Sequence, residues 1–239
     1  MATRRTQALS RDRIVAAAIE LLDAAGEGGL TFRALSERLA TGPGAIYWHV
    51  ANKEELLAAA TDGVVASAVG AGIREVALGL FTATEEHPWL ATQLALQLSR
   101  RPWGSVAPRI FEAIGREVEA LGVPAGSRFT ATSALVHYIL GAAGQNAVNT
   151  RAPVAVGDRE EFLDGVATAW EALDPAEYPF TRAVAAEVRG HDDREQFLGG
   201  IELVLAGITA VHGLAPRHPG TGLESGRGRN PGPRRGAGG

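Results

Sequence analysis

The sequence predicts an all-α fold, and three observations predict it. Apolar residues recur at three- and four-residue spacing along almost the whole chain, the period of a helix face. Strand-type alternation is nearly absent. Pro43, Pro88, Pro102, Pro124 and Pro153 fall between apolar stripes, where a residue that breaks helices does least harm. With 239 residues, 46% of them apolar, the chain can bury one large core or a small and a medium one.

Each element follows from local chemistry. Ser10 is placed to cap a first helix, with Ile14, Ala18, Leu21, Leu22 and Ala25 on one stripe and Gly26, Gly28 and Gly29 ending it. Thr31 caps a short second helix whose core side is Phe32, Leu35 and Leu39. Proline disfavours helix in the residue before it, so Gly42 lies outside and Pro43 opens a third helix reaching about His49. Asn52, with Glu55 three residues on, reads as a capping box opening a fourth helix to about Gly70, with Leu56, Leu57, Ala60 and Val64 inward. Six further helices are expected at 72–86, 88–98, 104–122, 126–151, 158–173 and 192–213, with a short one near Tyr178 to Arg189. Residues 214–239 hold eight glycines and four prolines without apolar periodicity and read as a disordered tail.

Composition removes several function classes. The chain has no cysteine, which excludes a disulfide scaffold and any thiolate nucleophile or metal site. No apolar run reaches the roughly 18 residues of a membrane span. Met1 to Arg13 lack the apolar core of a secretory signal, so a cytoplasmic protein is expected. The net charge is −4, unevenly spread: residues 1–13 carry +3, residues 214–239 carry +4 and residues 61–213 carry −8. Basic ends on an acidic body leave room for a polyanionic partner at the ends. A helical enzyme is a remote alternative, because there is no Gly-rich phosphate loop and no His-Glu-x-x-His, and His137, His191, His212 and His218 are isolated. No cofactor and no metal are expected.

The second and third helices are joined by a turn of about three residues containing glycine, a helix-turn-helix arrangement. Its second helix can enter a major groove and present its N-terminal residues to base edges, although the same turn also joins ordinary helical hairpins. The run from Leu30 to Leu39 (LTFRALSERL), followed by Ala45 to Leu57 with Ile46-Tyr47-Trp48-His49-Val50, Asn52-Lys53 and Leu56-Leu57, closely resembles the DNA-binding domain of the TetR (tetracycline repressor) family. Tyr-Trp-His-Val is similar to the tetracycline-repressor branch. A weaker similarity to that branch's C-terminal domain runs through Glu177-Tyr178-Pro179-Phe180, Arg194 to Leu198 and Leu205 to Ile208. The resemblance implies an arm at 1–9, a DNA-binding domain at 10–55, and a helical ligand-binding and dimerisation domain at 56–213.

Several side chains suit DNA. Lys53, the only lysine, stands in the first turn of the fourth helix, where free N–H groups and the helix dipole attract anions. The resemblance assigns it to phosphate. It places Arg33 toward DNA, where a guanidinium can pair with guanine, although Glu37 at i+4 is an alternative partner. Tyr47 matches a backbone-contacting position of the family, its ring packing while its hydroxyl reaches phosphate, with a core tyrosine as the alternative. Trp48 either backs its helix or touches the DNA backbone, and His49 either donates to phosphate or holds a structural partner. Pro43, Gly44 and Ala45 carry almost no hydrogen-bonding side chain, so readout there is limited to apolar contact with thymine methyls. Specificity must then lean on Arg33, on DNA shape, or on Arg4 and Arg5 in a minor groove, unless those two arginines form a non-specific tail.

The resemblance further implies a homodimer on a near-palindromic operator, most simply a repressor released by a small-molecule inducer. A regulator answering a protein partner, or no effector, is the alternative. Paired helices at 126–151 and 192–213 would form the dimer contact through Ala131, Ala134, Gly141 and Ala142, and through Phe197, Ile201, Leu205 and Ile208. Candidate inducer-lining residues are His87, Trp89, Gln93, Trp103, Phe111, Tyr138, Gln145, Asn146 and Asn149, aromatic walls with a few polar groups. Each is also an ordinary core residue.

Overall fold

The structure is a computed structural model that describes residues 8–149 and 158–214. Among the described residues the chain forms helices and no strand. In order they are α1 (Arg11–Gly29), α2 (Phe32–Arg38), α3 (Pro43–Tyr47), α4 (Lys53–Ala68), α5 (Ile73–Glu86), α6 (Leu90–Arg100), α7 (Val106–Ala120), α8 (Ala125–Asn149), α9 (Asp158–Glu171), α10 (Pro179–Val188) and α11 (Asp193–Val211). Arg4, Arg5 and the tail from residue 215 lie outside the described residues, as does the expected end of the eighth helix at 151.

The caps read from the sequence form. Ser10, Thr31 and Asn52 each accept a backbone N–H three residues on, satisfying one orphan donor of the first turn, and Asp192, not read as a cap, does the same for α11. Glu55 accepts the Ala51 N–H at 2.9 Å and closes the reciprocal half of the box one residue early. The α2 end is a Schellman turn: Thr41 N–H donates to Ser36 C=O and Ala40 N–H to Glu37 C=O, with Ala40 at φ 49°.

Three expected boundaries gain detail or change. α1 ends at Gly29, the last of the glycines expected to end it, after a break at Gly26 at φ 63° and ψ −167°. That region of backbone space is essentially open to glycine alone. The sixth helix begins at Leu90, not 88, because Pro88 and Trp89 turn the chain and Leu90 N–H bonds His87 C=O. α3 ends at Tyr47, with Trp48 as its cap.

The helices form a small N-terminal layer and a larger body that share one continuous core. Ile14, Leu22, Leu30, Leu35, Ile46, Val50 and Leu56 close the N-terminal part, while Ala25 of the expected stripe is exposed. α4 is the joint: it packs on α1 and also on α5, α6 and α7. α8 is the body's centre, flanked by α5, α6, α7 and α11. Phe81, Leu80, Ile110, Ile114, Leu135, Ile139, Phe197 and Ile201 fill the space around it. α9 and α10 pack closely on each other, and neither makes an extensive contact with another helix.

Candidate nucleic-acid interface and effector cavity

α3 is held by one buried side chain, Ile46, and turns the rest outward. Pro43 and Gly44 are exposed and Ala45 half-buried. Tyr47 stacks on Phe32 at 4.4 Å between ring centroids, which fixes its ring while leaving the residue 53% exposed. Trp48 is 90% exposed and therefore does not back the helix. His49 is half-buried in the loop before α4. Arg33 projects from the first turn of α2 into solvent and meets Glu37 at 2.9 Å, so the intrahelical pair exists in the free protein. The pair is exposed on both sides and weak enough for a DNA group to replace it.

Lys53 has a partner that sequence reasoning missed. Its ammonium donates to the main-chain carbonyl of Glu27, in the last turn of α1. The carbonyls ending a helix lack intrahelical partners and carry the negative end of its dipole, which suits a lysine. No local signal in the sequence announces a contact across so many residues.

The candidate cavity residues divide into three groups. Tyr138, Gln145, Asn146 and Asn149 come together, lining an open cavity of about 660 Å³ between α5, α8 and α11. Asn146 is buried and donates to Glu85 at 2.9 Å. Tyr138 donates to the Phe197 carbonyl at 3.1 Å, and burial raises its phenol pKa above the ordinary value. A Cβ on Gly200 would overlap the Tyr138 ring, so glycine is what lets this ring lie flat on α11. The cavity also takes Phe81, His191, Asp193 and Gln196. The α11 members were legible only as the helical spacing 193, 196, 197, 200.

His87, Trp89 and Gln93 do not line this cavity. They turn to α1: His87 Nδ1 and Trp89 Nε1 both meet Asp23 Oδ1, at 2.8 and 2.7 Å, and Gln93 Nε2 donates to Glu27 Oε1 at 2.7 Å. Trp103 is 79% exposed in the turn after α6, and Phe111 packs against Phe129 instead. Among the described residues no group of three potential ligands is arranged to hold a metal ion.

The α11 residues expected at the dimer contact lie on the inner face of that helix. Phe197, Ile201 and Ile208 are buried in the chain's own core, with Leu205 half-buried, because this face packs on α8. The exposed apolar stripe is the opposite one, Gly199, Leu203, Ala206, Gly207, Ala210 and Val211. On α8, Ala134 and Gly141 are exposed, whereas Ala131 is buried and Ala142 faces the cavity. No described helix is long and apolar enough to cross a membrane.

Residues 14–60 match the family described as bacterial regulatory proteins, tetR family, and residues 71–212 match the tetracyclin repressor-like C-terminal domain. The transcriptional regulator SCO7222, a TetR from Streptomyces coelicolor, has a solved structure that superposes with a TM-score of 0.80. It is 69% identical, over 86% of this chain and 100% of that one. An HTH-type transcriptional regulator of Saccharopolyspora erythraea is 29% identical over 86% of this chain and 87% of its own. The HTH-type transcriptional repressor DrrR1 of Streptomyces coeruleorubidus is 27% identical over 85% and 78%. The helix-turn-helix layer and the helical body are thus each matched along nearly their full length, and the chain belongs to the TetR family of transcriptional regulators.

Proposed function

We propose that two copies of the chain bind a near-palindromic operator as a repressor, and that a small molecule seated between α5, α8 and α11 releases it. The observation that carries this is the outward face of α3, a helix anchored by buried Ile46 and by the stacking of Tyr47 on Phe32, with Pro43, Gly44 and the following Trp48 in solvent. A helix presented in this way fits a major groove, with Lys53 and Tyr47 on phosphates and Arg33 on a base edge. Because one such helix reads only a short site, a second copy supplies the matching half-site. The α11 stripe left exposed among the described residues and the exposed small residues of α8 support the pairing. Gly199 and Leu203 belong to both the stripe and the cavity rim, so a ligand would sit beside the subunit contact. The name of the Streptomyces coeruleorubidus relative supports the sign of regulation.

Release is a population shift. A ligand that favours a DNA-incompetent arrangement by about 1–3 kcal/mol moves the operator equilibrium by the usual margin for such coupling. α4, which touches both layers, is positioned to transmit it. The test is operator binding followed by fluorescence anisotropy, with duplex DNA from the region upstream of the gene and a scrambled control. Arg33→Ala is expected to reduce the preference between the two by about 1–3 kcal/mol. An unchanged preference removes Arg33 from the reading edge, and a wild-type chain that ignores both duplexes at modest salt removes the function.

A further inference from the structure

Glu27 is engaged twice, by different parts of itself. Its carboxylate accepts from Gln93 of α6, a side chain only 3% exposed, so the bond is sheltered from water. Its main-chain carbonyl accepts from Lys53 at the start of α4. Both lie just past the break at Gly26, which sets the last turn of α1 apart from the helix before it. One residue therefore holds the effector-binding body with its side chain and the N-terminus of α4 with its backbone.

We propose that Glu27 is a positioning residue for DNA binding: fixed by Gln93, it orients the Lys53 ammonium toward phosphate. The proposal rests on the reading of Lys53 as a phosphate contact and adds what controls it. An ammonium has three donors, so one spent on Glu27 leaves two for phosphate oxygens. Lysine sits on a long flexible stem and loses much rotamer freedom when it is fixed; a carbonyl that fixes it beforehand removes that cost from the DNA-binding step. The neighbouring bonds from His87 and Trp89 to Asp23 hold the preceding turn of α1 to the same corner of the body. Movement of α6 would carry Glu27 with it and unpin Lys53, so the body can alter DNA affinity without touching α3.

The test is a double-mutant cycle on the full chain with Gln93→Met and Lys53→Met. The probe is a fluorescein-labelled duplex, the tightest binder recovered from a randomised library, titrated over a range of salt. Lys53→Met is expected to weaken binding about eightfold near 0.1 M salt and to reduce the salt slope by about 0.9, the signature of one lost phosphate. Gln93→Met is expected to reproduce part of both effects in the wild-type background and to add nothing once Lys53 is gone. Multiplying effects overturn the proposal while leaving the phosphate contact standing. A Lys53→Met chain with unchanged affinity and slope overturns the phosphate reading, and the proposal with it. Should Gln93→Met fail to fold, Glu27→Ala breaks the same bond from α1. Loss of a negative charge alone tightens DNA binding, so weaker binding by Glu27→Ala supports the positioning role and tighter binding overturns it. Because Lys53 is the only lysine, amine labelling localised by peptide mass reports on it directly. Faster labelling in Gln93→Met is expected, and an unchanged rate counts against the proposal.

Discussion

Leu203→Ala separates the two faces of α11. Leu203 is 75% exposed in the single chain, two residues after Ile201, which is fully buried. The exposed stripe around it is otherwise small, with Val211 as its other bulky member among the described residues. If this stripe meets its symmetry mate, truncation removes three carbons from a buried contact, about 2.4 kcal/mol at ~0.8 kcal/mol per carbon. Two-fold symmetry places the loss in the interface twice, about 5 kcal/mol in all, or a few thousandfold in the dimer dissociation constant. Sedimentation equilibrium over a dilution series measures it. The subunit itself should keep its helical circular dichroism, since substitution of an exposed position costs the fold within about 0.5 kcal/mol. Ile201→Ala should do the reverse and cost about 2–5 kcal/mol of folding stability through the cavity it leaves. A Leu203→Ala chain that dimerises as tightly as the wild type would refute the assignment of this face.

Two other outcomes follow from single features. Gly26→Ala should destabilise the chain by about 1–3 kcal/mol, because no atom lies near the added Cβ and the cost is purely that of a backbone region closed to alanine; an unchanged urea midpoint contradicts this. Glu171 is held below the ordinary carboxylate pKa, chiefly by its hydrogen bond from Arg189. A carboxylate depressed in the folded state contributes stability above its unfolded pKa and loses it as pH falls through the lowered value. The α9–α10 pairing should therefore loosen in acid, and Arg189→Ala should raise the Glu171 titration toward the ordinary range in carbon-detected NMR. A titration that stays put argues against the pairing.

What could be read from the sequence was local. Ser10, Thr31 and Asn52 announce their helices because a cap needs only residues within the next turn. The start of α3 and its place after the turn were legible for the same reason, joined by a recognisable run of neighbours, whereas the orientation of Tyr47 and Trp48 was not. The inner face of α11 was not. That helix is apolar on both sides, with Phe197, Ile201 and Ile208 on one and Leu203 and Val211 on the other, and periodicity alone cannot say which side belongs to the subunit and which to solvent. His87, Trp89 and Gln93 carried chemistry that suits a pocket, but their partners Asp23 and Glu27 stand more than sixty positions earlier. Only the folded chain shows that a carboxylate already occupies their donors. Tyr138, Gln145 and Asn149 were recovered together because they share one side of one helix.

The hairpin of α9 and α10 gives the molecule two tiers of cohesion. Its fully buried residues are Ala167 and Ala185, joined by half-buried Leu163, Val166, Trp170, Val184 and Val188, and it leans on guanidinium clamps at the surface: Arg189 on Asp164 and Glu171, Arg182 on the Glu171 and Leu173 carbonyls. Such clamps weaken with added electrolyte while a greasy centre does not. Warming or salt should thus open this appendage well before the α5–α8 centre yields, with its amides exchanging deuterium at shallow cost. The subunit then melts from its outrigger inward.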